Sequence, residues 1–96
     1  MPVTFHIPRA LREFTAGQGQ IRIEGSPATL CDALTILWTL YPGLRDRIAN
    51  EQGQIRRHIN LFIGDENVRY LGGLASPVPD GADISIVPAV SGGTRN

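Results

Sequence analysis

Few side chains in this 96-residue sequence could carry out chemistry by themselves. Cys31 stands near the start of a predicted helix, where a thiol can be activated. We expect it instead to be a small buried hydrophobe beside Leu30 and Leu34. His6 and His58 occupy polar positions of two predicted strands, with no further ligand at metal-like spacing, and are interpreted as surface residues. The sequence therefore predicts no catalytic residue and no metal site in this chain.

The strongest chemical signal lies at the C-terminus, where the chain reads Pro88-Ala89-Val90-Ser91-Gly92-Gly93. Pro88 favours an extended chain. Glycine has no Cβ, so Gly92 and Gly93 can pass through a narrow channel and bring the backbone close to a reactive centre. A flexible arm ending in two glycines suits a protein that reacts through its terminal carboxylate. A frayed, glycine-rich terminus is the alternative.

Three more residues follow the two glycines: Thr94-Arg95-Asn96. While Thr94 is attached, the Gly93 carbonyl belongs to an amide and offers no free carboxylate. The sequence therefore predicts a precursor that is cleaved between Gly93 and Thr94. Two alternatives remain: the three residues are not native to the protein, or the chain is only a binding module.

Composition excludes several other classes of protein. The chain is 42% hydrophobic and 19% charged, as expected for one globular domain. Nine arginines balance nine carboxylates, which disfavours binding to a nucleic-acid backbone, and no apolar stretch is long enough for a membrane span. The single cysteine cannot form an internal disulfide, so the cytoplasm is the expected compartment. Nothing demands more than a monomer, and the absence of lysine leaves no side-chain amine for an isopeptide bond.

Hydrophobic periodicity predicts the first half of the fold. Alternation over 3–8 and 20–24 indicates two strands joined as a hairpin. Ser26 is the expected N-cap of a long helix, with Pro27 at its first position. The helix carries one apolar stripe and ends near Tyr41, because Pro42 follows. That stripe is Leu30, Leu34, Leu37 and Tyr41, widened by Ala33, Ile36 and Leu40.

The second half is predicted to return to strands. A short helix lies within 44–54, and strands follow at 58–63, 68–71 and 84–87, with a tight turn at Asp80-Gly81. This order predicts an α+β, β-grasp (ubiquitin-like) fold: a mixed sheet of four to five strands with one long helix packed on one face. Residues 1–90 form the domain and 91–96 a flexible tail.

One apolar pair is expected on the outer face of the sheet. If the isoleucines of the last two long strands face the helix, then Phe62 and Val87 point away from it. Apolar side chains on a solvent-facing sheet surface suggest a docking patch, with scattered surface apolarity as the alternative.

Two stretches resemble the ThiS/MoaD family of ubiquitin-like sulfur carriers. Residues 80–93 (DGADISIVPAVSGG) are similar to the family's closing signature, and residues from Ile59 through 64–74 (GDENVRYLGGL) also resemble it. With residues 3–8 and Leu11-Arg12, the likeness is greatest to the CysO-type carriers of protein-bound cysteine biosynthesis. It covers nearly the whole chain, and its second half is the specific part.

The resemblance implies a mechanism in which the chain is a co-substrate rather than an enzyme. An E1-like adenylyltransferase adenylates the Gly93 carboxylate with ATP, and a sulfurtransferase or other sulfur source converts it into a thiocarboxylate. The sulfur then passes to an acceptor held by a PLP-dependent, cysteine-synthase-like enzyme. A JAMM-type zinc peptidase is the protease expected to remove residues 94–96. The chain itself binds no cofactor in this scheme.

Other functions share the same fold and tail. The chain could be the small subunit of a molybdopterin-synthase-like enzyme, a ubiquitin-like protein modifier, or a β-grasp binding module that is never activated.

Overall fold

The computed structural model describes residues 2–89, and the predicted tail lies outside this range. The described strands and helices are β1 Val3–His6, β2 Gln20–Ile23, α1 Leu30–Leu40, α2 Pro42–Ile48, β3 Ile59–Ile63, β4 Glu66–Asn67 and β5 Asp83–Pro88. Three short 3₁₀-helices complete the described fold, at Arg9–Thr15, Val68–Tyr70 and Gly73–Ala75.

All five strands form one mixed sheet in the order β2-β1-β5-β3-β4. The pairs β1–β2, β3–β5 and β3–β4 are antiparallel, whereas β1 and β5 run parallel. The pair β1–β5 can be parallel because α1 and α2 carry the chain across one face of the sheet between β2 and β3. This arrangement is the β-grasp fold, which confirms the predicted fold class.

The core lies between the sheet and α1. Strand residues at alternate positions point inwards, as Phe5, Leu61 and Ile84 do, and all three are buried. The α1 stripe meets them: Leu30, Leu34 and Leu37 are buried, while Leu40 is 51% exposed. The prediction that Leu40 belongs to the stripe was therefore wrong, because at about 100° per residue it lies at the edge of the buried face, beyond Ala33. No helix within residues 2–89 is long and apolar enough to cross a membrane.

The N-cap of α1 is Thr29 rather than the predicted Ser26. The Thr29 hydroxyl accepts a hydrogen bond from the Asp32 backbone N–H at 3.3 Å. The residues before it pair with another loop, since the Val78 N–H donates to the Ala28 carbonyl at 3.0 Å. Long-range pairing thus delays the helix by three residues.

Two further boundaries differ from the sequence prediction. Helix α2 begins at Pro42, which occupies the first helical position after Tyr41 breaks α1. The predicted return strand at 68–71 is wrong, because Val68–Tyr70 is a 3₁₀-helix. Its cause is local: the Asn67 side-chain oxygen accepts a hydrogen bond from the Arg69 N–H at 2.9 Å and caps the turn.

Candidate functional site

The chain leaves the domain from the centre of the sheet. Strand β5 is hydrogen-bonded to β1 on one side and to β3 on the other. The pairing with β3 extends past the strand end, where the Ala89 N–H donates to the His58 carbonyl at 2.6 Å. The residues that follow therefore start from a fixed point of the fold.

The predicted reactive residues come after this point. Val90, Ser91, Gly92 and Gly93, and the predicted cleavage bond between Gly93 and Thr94, lie outside the described residues. Ala89 is the last described residue, so Gly93 follows it by four positions. Fully extended, four residues span about 13 Å. A site that receives the Gly93 carbonyl through an extended tail must therefore lie within that distance of Ala89.

Phe62 and Val87 lie together on the outer face of the sheet. In the β3–β5 register, Phe62 stands opposite Ser85 and Val87 opposite Asn60. The two side chains are thus diagonal neighbours, within reach of each other. Phe62 is half-buried and Val87 is 43% exposed. Their role as a docking patch stays a prediction.

Polar side chains surround this pair. The Asn67 side-chain amide donates to the Asn60 oxygen at 3.3 Å. On the β1 side, His6 Nε2 lies 2.9 Å from Asp83 Oδ1. Both groups are solvent-accessible, so this surface hydrogen bond adds little stability. The outer face is therefore a small apolar patch with a polar rim, the usual anatomy of a non-obligate interface.

The remaining candidates lie apart from one another. Cys31 is exposed, so the prediction of a buried thiol was wrong. It stands one residue after Leu30, and a helix turns by about 100° per residue, so it faces solvent when Leu30 faces the core. His58 is exposed and His6 is half-buried. Within residues 2–89 no three His, Cys, Asp or Glu side chains are grouped as metal ligands would be.

Two exposed apolar side chains in the segment after β4 were not predicted from the sequence. Tyr70 is 82% exposed and Leu71 is 42% exposed. The segment was assigned to a strand, so its residues were not considered as surface. The Asn67-x-Arg69 capping pattern was the available signal for a turn there.

Comparisons with known proteins agree on one group. The model of the ThiS family matches residues 5–93. Sulfur carrier protein CysO of Mycobacterium tuberculosis is 38% identical over 95 residues, covering 97% of this chain and all of that protein. One chain in the crystal structure of the Amycolatopsis orientalis BexX/CysO complex matches with a TM-score of 0.85 and 36% identity, covering 94% of this chain and 98% of that one. Small archaeal modifier protein 3 of Haloferax volcanii is 36% identical over 66 residues, 69% of this chain and 71% of the relative.

These matches bear on the site in two ways. The family match ends on Gly93, the second glycine of the predicted reactive pair. The relatives include carrier proteins, and one solved relative is part of a two-component complex. They support a sulfur-carrier role that depends on partner proteins.

Proposed function

Since the chain belongs to the ThiS family, we propose that it carries sulfur as a thiocarboxylate on Gly93. Residues 94–96 are removed first, and the sulfur is used to make cysteine or another sulfur metabolite. The observation that carries this proposal is the end of the family match at Gly93, four residues beyond the anchored Ala89. The 38% identity to sulfur carrier protein CysO supports the carrier role, and the resemblance to CysO-type carriers is the reason for proposing cysteine as the product.

Each chemical step uses the freed carboxyl terminus. Hydrolysis of the Gly93–Thr94 amide releases a carboxylate, which is ionised at neutral pH. One carboxylate oxygen attacks the α-phosphorus of ATP and pyrophosphate leaves, giving an acyl adenylate. A sulfur nucleophile then attacks the Gly93 carbonyl carbon and AMP leaves. With hydrosulfide as the nucleophile, the terminal thiocarboxylate forms directly. With an enzyme persulfide, an acyl disulfide forms first, and a thiolate then attacks the donor sulfur, so the thiocarboxylate leaves and a disulfide is formed.

No side chain of this chain takes part in these steps. The domain supplies a fixed origin for the tail and a surface that partners recognise, with the patch of Phe62 and Val87 as its apolar part. The partners are an E1-like adenylyltransferase, a sulfurtransferase or other sulfur source, a JAMM-type zinc peptidase and a PLP-dependent, cysteine-synthase-like acceptor enzyme. ATP is bound and used by the adenylyltransferase.

Protein modification is the second candidate function, because one relative is a small archaeal modifier protein. The same acyl adenylate would then transfer Gly93 to an amine of a target protein. The absence of lysine in this chain would exclude chains of modifiers built on modifier side chains, while single conjugation remains possible. Isopeptide-linked Gly93 on cellular proteins would distinguish this function from sulfur transfer.

The adenylation step is tested with two forms of the chain. One form ends at Asn96 and the other at Gly93, and each is incubated with ATP and the adenylyltransferase of the same organism. Only the form that ends at Gly93 has a carboxylate at the reactive position, so we expect pyrophosphate release with that form alone. A third form ends at residue 93 and carries Gly93→Pro. It has the same length and also a terminal carboxylate, so loss of pyrophosphate release in this form shows that the glycine is needed as well as the free carboxylate. Pyrophosphate release from the untrimmed chain at the same rate would contradict the proposed processing.

A further inference from the structure

The end of the domain that releases the tail is built from three segments. They are the 3₁₀-helix Arg9–Thr15, helix α2 and residues 56–58, and we call this the tail end. Residues 56–58 are hydrogen-bonded to the chain end of β5, where the Ala89 N–H donates to the His58 carbonyl at 2.6 Å. They are also bonded to the end of α2, where the Arg56 N–H donates to the Ile48 carbonyl at 2.9 Å. Helix α2 in turn meets the 3₁₀-helix, where the Arg47 guanidinium lies 4.9 Å from the centre of the Phe14 ring.

Positive charge is concentrated at the tail end, although the chain as a whole is neutral. Six of the eight arginines within residues 2–89 belong to its three segments: Arg9, Arg12, Arg45, Arg47, Arg56 and Arg57. Three carboxylates lie in or beside those segments: Glu13, Asp46 and Glu51. The tail end therefore carries an excess of three positive charges.

Negative charge is concentrated at the opposite end of the sheet. There β2 ends beside the start of β1, and the Gly64 N–H donates to the Asp83 carbonyl where β3 ends and β5 begins. Five carboxylates lie at this end: Glu24 after β2, Asp65 and Glu66 after β3, Asp80 before β5, and Asp32 in the first turn of α1. Arg69 is the single arginine of residues 2–89 in those connections, so the fold separates most of the charge that the composition balances.

The arginines at the tail end are held mostly by uncharged groups. Arg12 Nε donates to the Ile7 carbonyl at 3.1 Å, and Arg56 Nε donates to the Asp46 backbone carbonyl at 2.8 Å. Arg47 stacks over an aromatic ring. At this end Arg45 forms a loose ion pair with Asp46, with 3.9 Å between Nη1 and Oδ1. Arg12, Arg47 and Arg56 are thus held without a counter-charge, so their positive charge remains available to a partner.

We infer that the adenylating enzyme presents a ring of carboxylates around the opening that receives the tail, and that the tail end docks on it. The inference rests on the proposed function. The reacting Gly93 carbonyl lies within about 13 Å of Ala89 along an extended tail. The rim of a site that receives it therefore lies near Arg56 and Arg57, which directly precede His58, the residue bonded to Ala89. The separated charges would also orient the carrier during the encounter, tail end first.

The test is the rate of pyrophosphate release by that enzyme with chains ending at Gly93, measured from 50 to 300 mM NaCl. Arg9→Glu and Arg57→Glu reverse two exposed charges of the tail end. Arg22→Glu, at an exposed arginine on edge strand β2, is the matched control for each single variant, and the double variant combines Arg9→Glu with Arg57→Glu. We expect the double variant to raise KM about 10-fold or more at 50 mM NaCl, because charges at an interface rim govern association and its salt dependence. At 300 mM the effect should shrink several-fold through screening. Arg22→Glu should stay within about 2-fold of the parent.

The outcomes separate the inference from the function on which it rests. If the parent chain releases pyrophosphate but the double variant and Arg22→Glu behave alike at every salt concentration, the acidic rim is wrong and the carrier function stands. If the parent chain releases none, the proposed function fails and the inference falls with it. Urea unfolding of each variant shows whether a raised KM comes from a damaged fold.

Discussion

At the scale of single residues, alternation along strands predicted which side chains face outwards. Phe62 and Val87 share the outer face as expected, because every second residue of a strand points to the same side. Cys31 was misplaced because its neighbours in sequence, rather than its angle around α1, suggested burial. Exposure of a helical residue depends on its angle from the apolar stripe, and Cys31 is rotated by about 100° from Leu30.

The docking patch yields a prediction at this scale. Val87→Ser removes an apolar side chain that is 43% exposed, and Leu71→Ser removes one that is 42% exposed elsewhere. Both changes leave the charge unaltered, so they are independent of the arginines. Burying a valine contributes about 1.5 kcal/mol, so losing that contact should raise KM for the adenylating enzyme about 10-fold. Leu71→Ser should leave KM almost unchanged. An equal rise in KM for the two variants would show that Phe62 and Val87 do not form a docking patch.

At the scale of elements, local patterns predicted the strands and helices, and long-range contacts shifted their ends. The turn at Asp80-Gly81 was predicted and is confirmed: Gly81 has a φ of 73°, and the Ala82 N–H donates to the Pro79 carbonyl at 3.1 Å. The start of α1 was not predictable from Ser26-Pro27, because pairing between Thr29 and Pro77 holds the chain extended up to the cap.

The capping assignment is testable with a matched pair of substitutions. Thr29→Ala removes the hydroxyl that accepts the Asp32 N–H, so we expect a loss of about 1 kcal/mol in the free energy of unfolding. Ser26→Ala alters an exposed residue outside the helix and should change stability by less than about 0.5 kcal/mol. Urea denaturation measures both. A larger loss of unfolding free energy for Ser26→Ala than for Thr29→Ala would show that Ser26 is the N-cap, as predicted from the sequence.

At the scale of the whole molecule, the element order was enough to predict the fold. A hairpin, a long helix and a returning strand leave few arrangements, and the parallel pairing of β1 with β5 follows from the crossover. The separation of charge was not visible in the same way. Arg9 and Arg57 are far apart in sequence, and only the folded chain brings their segments to one end.

The central claim is that Gly93 becomes a thiocarboxylate after residues 94–96 are removed. The most direct measurement is the intact mass of the protein isolated from its native cells, with thiol labelling after Cys31 has been blocked. Cys31 is exposed, so the blocking reagent can reach it in the folded protein. We predict a chain that ends at Gly93 and carries one label on its terminal sulfur. Recovery of the chain to Asn96 alone, with no terminal label under any sulfur supply, would contradict the claim and leave a binding module with the fold of a carrier.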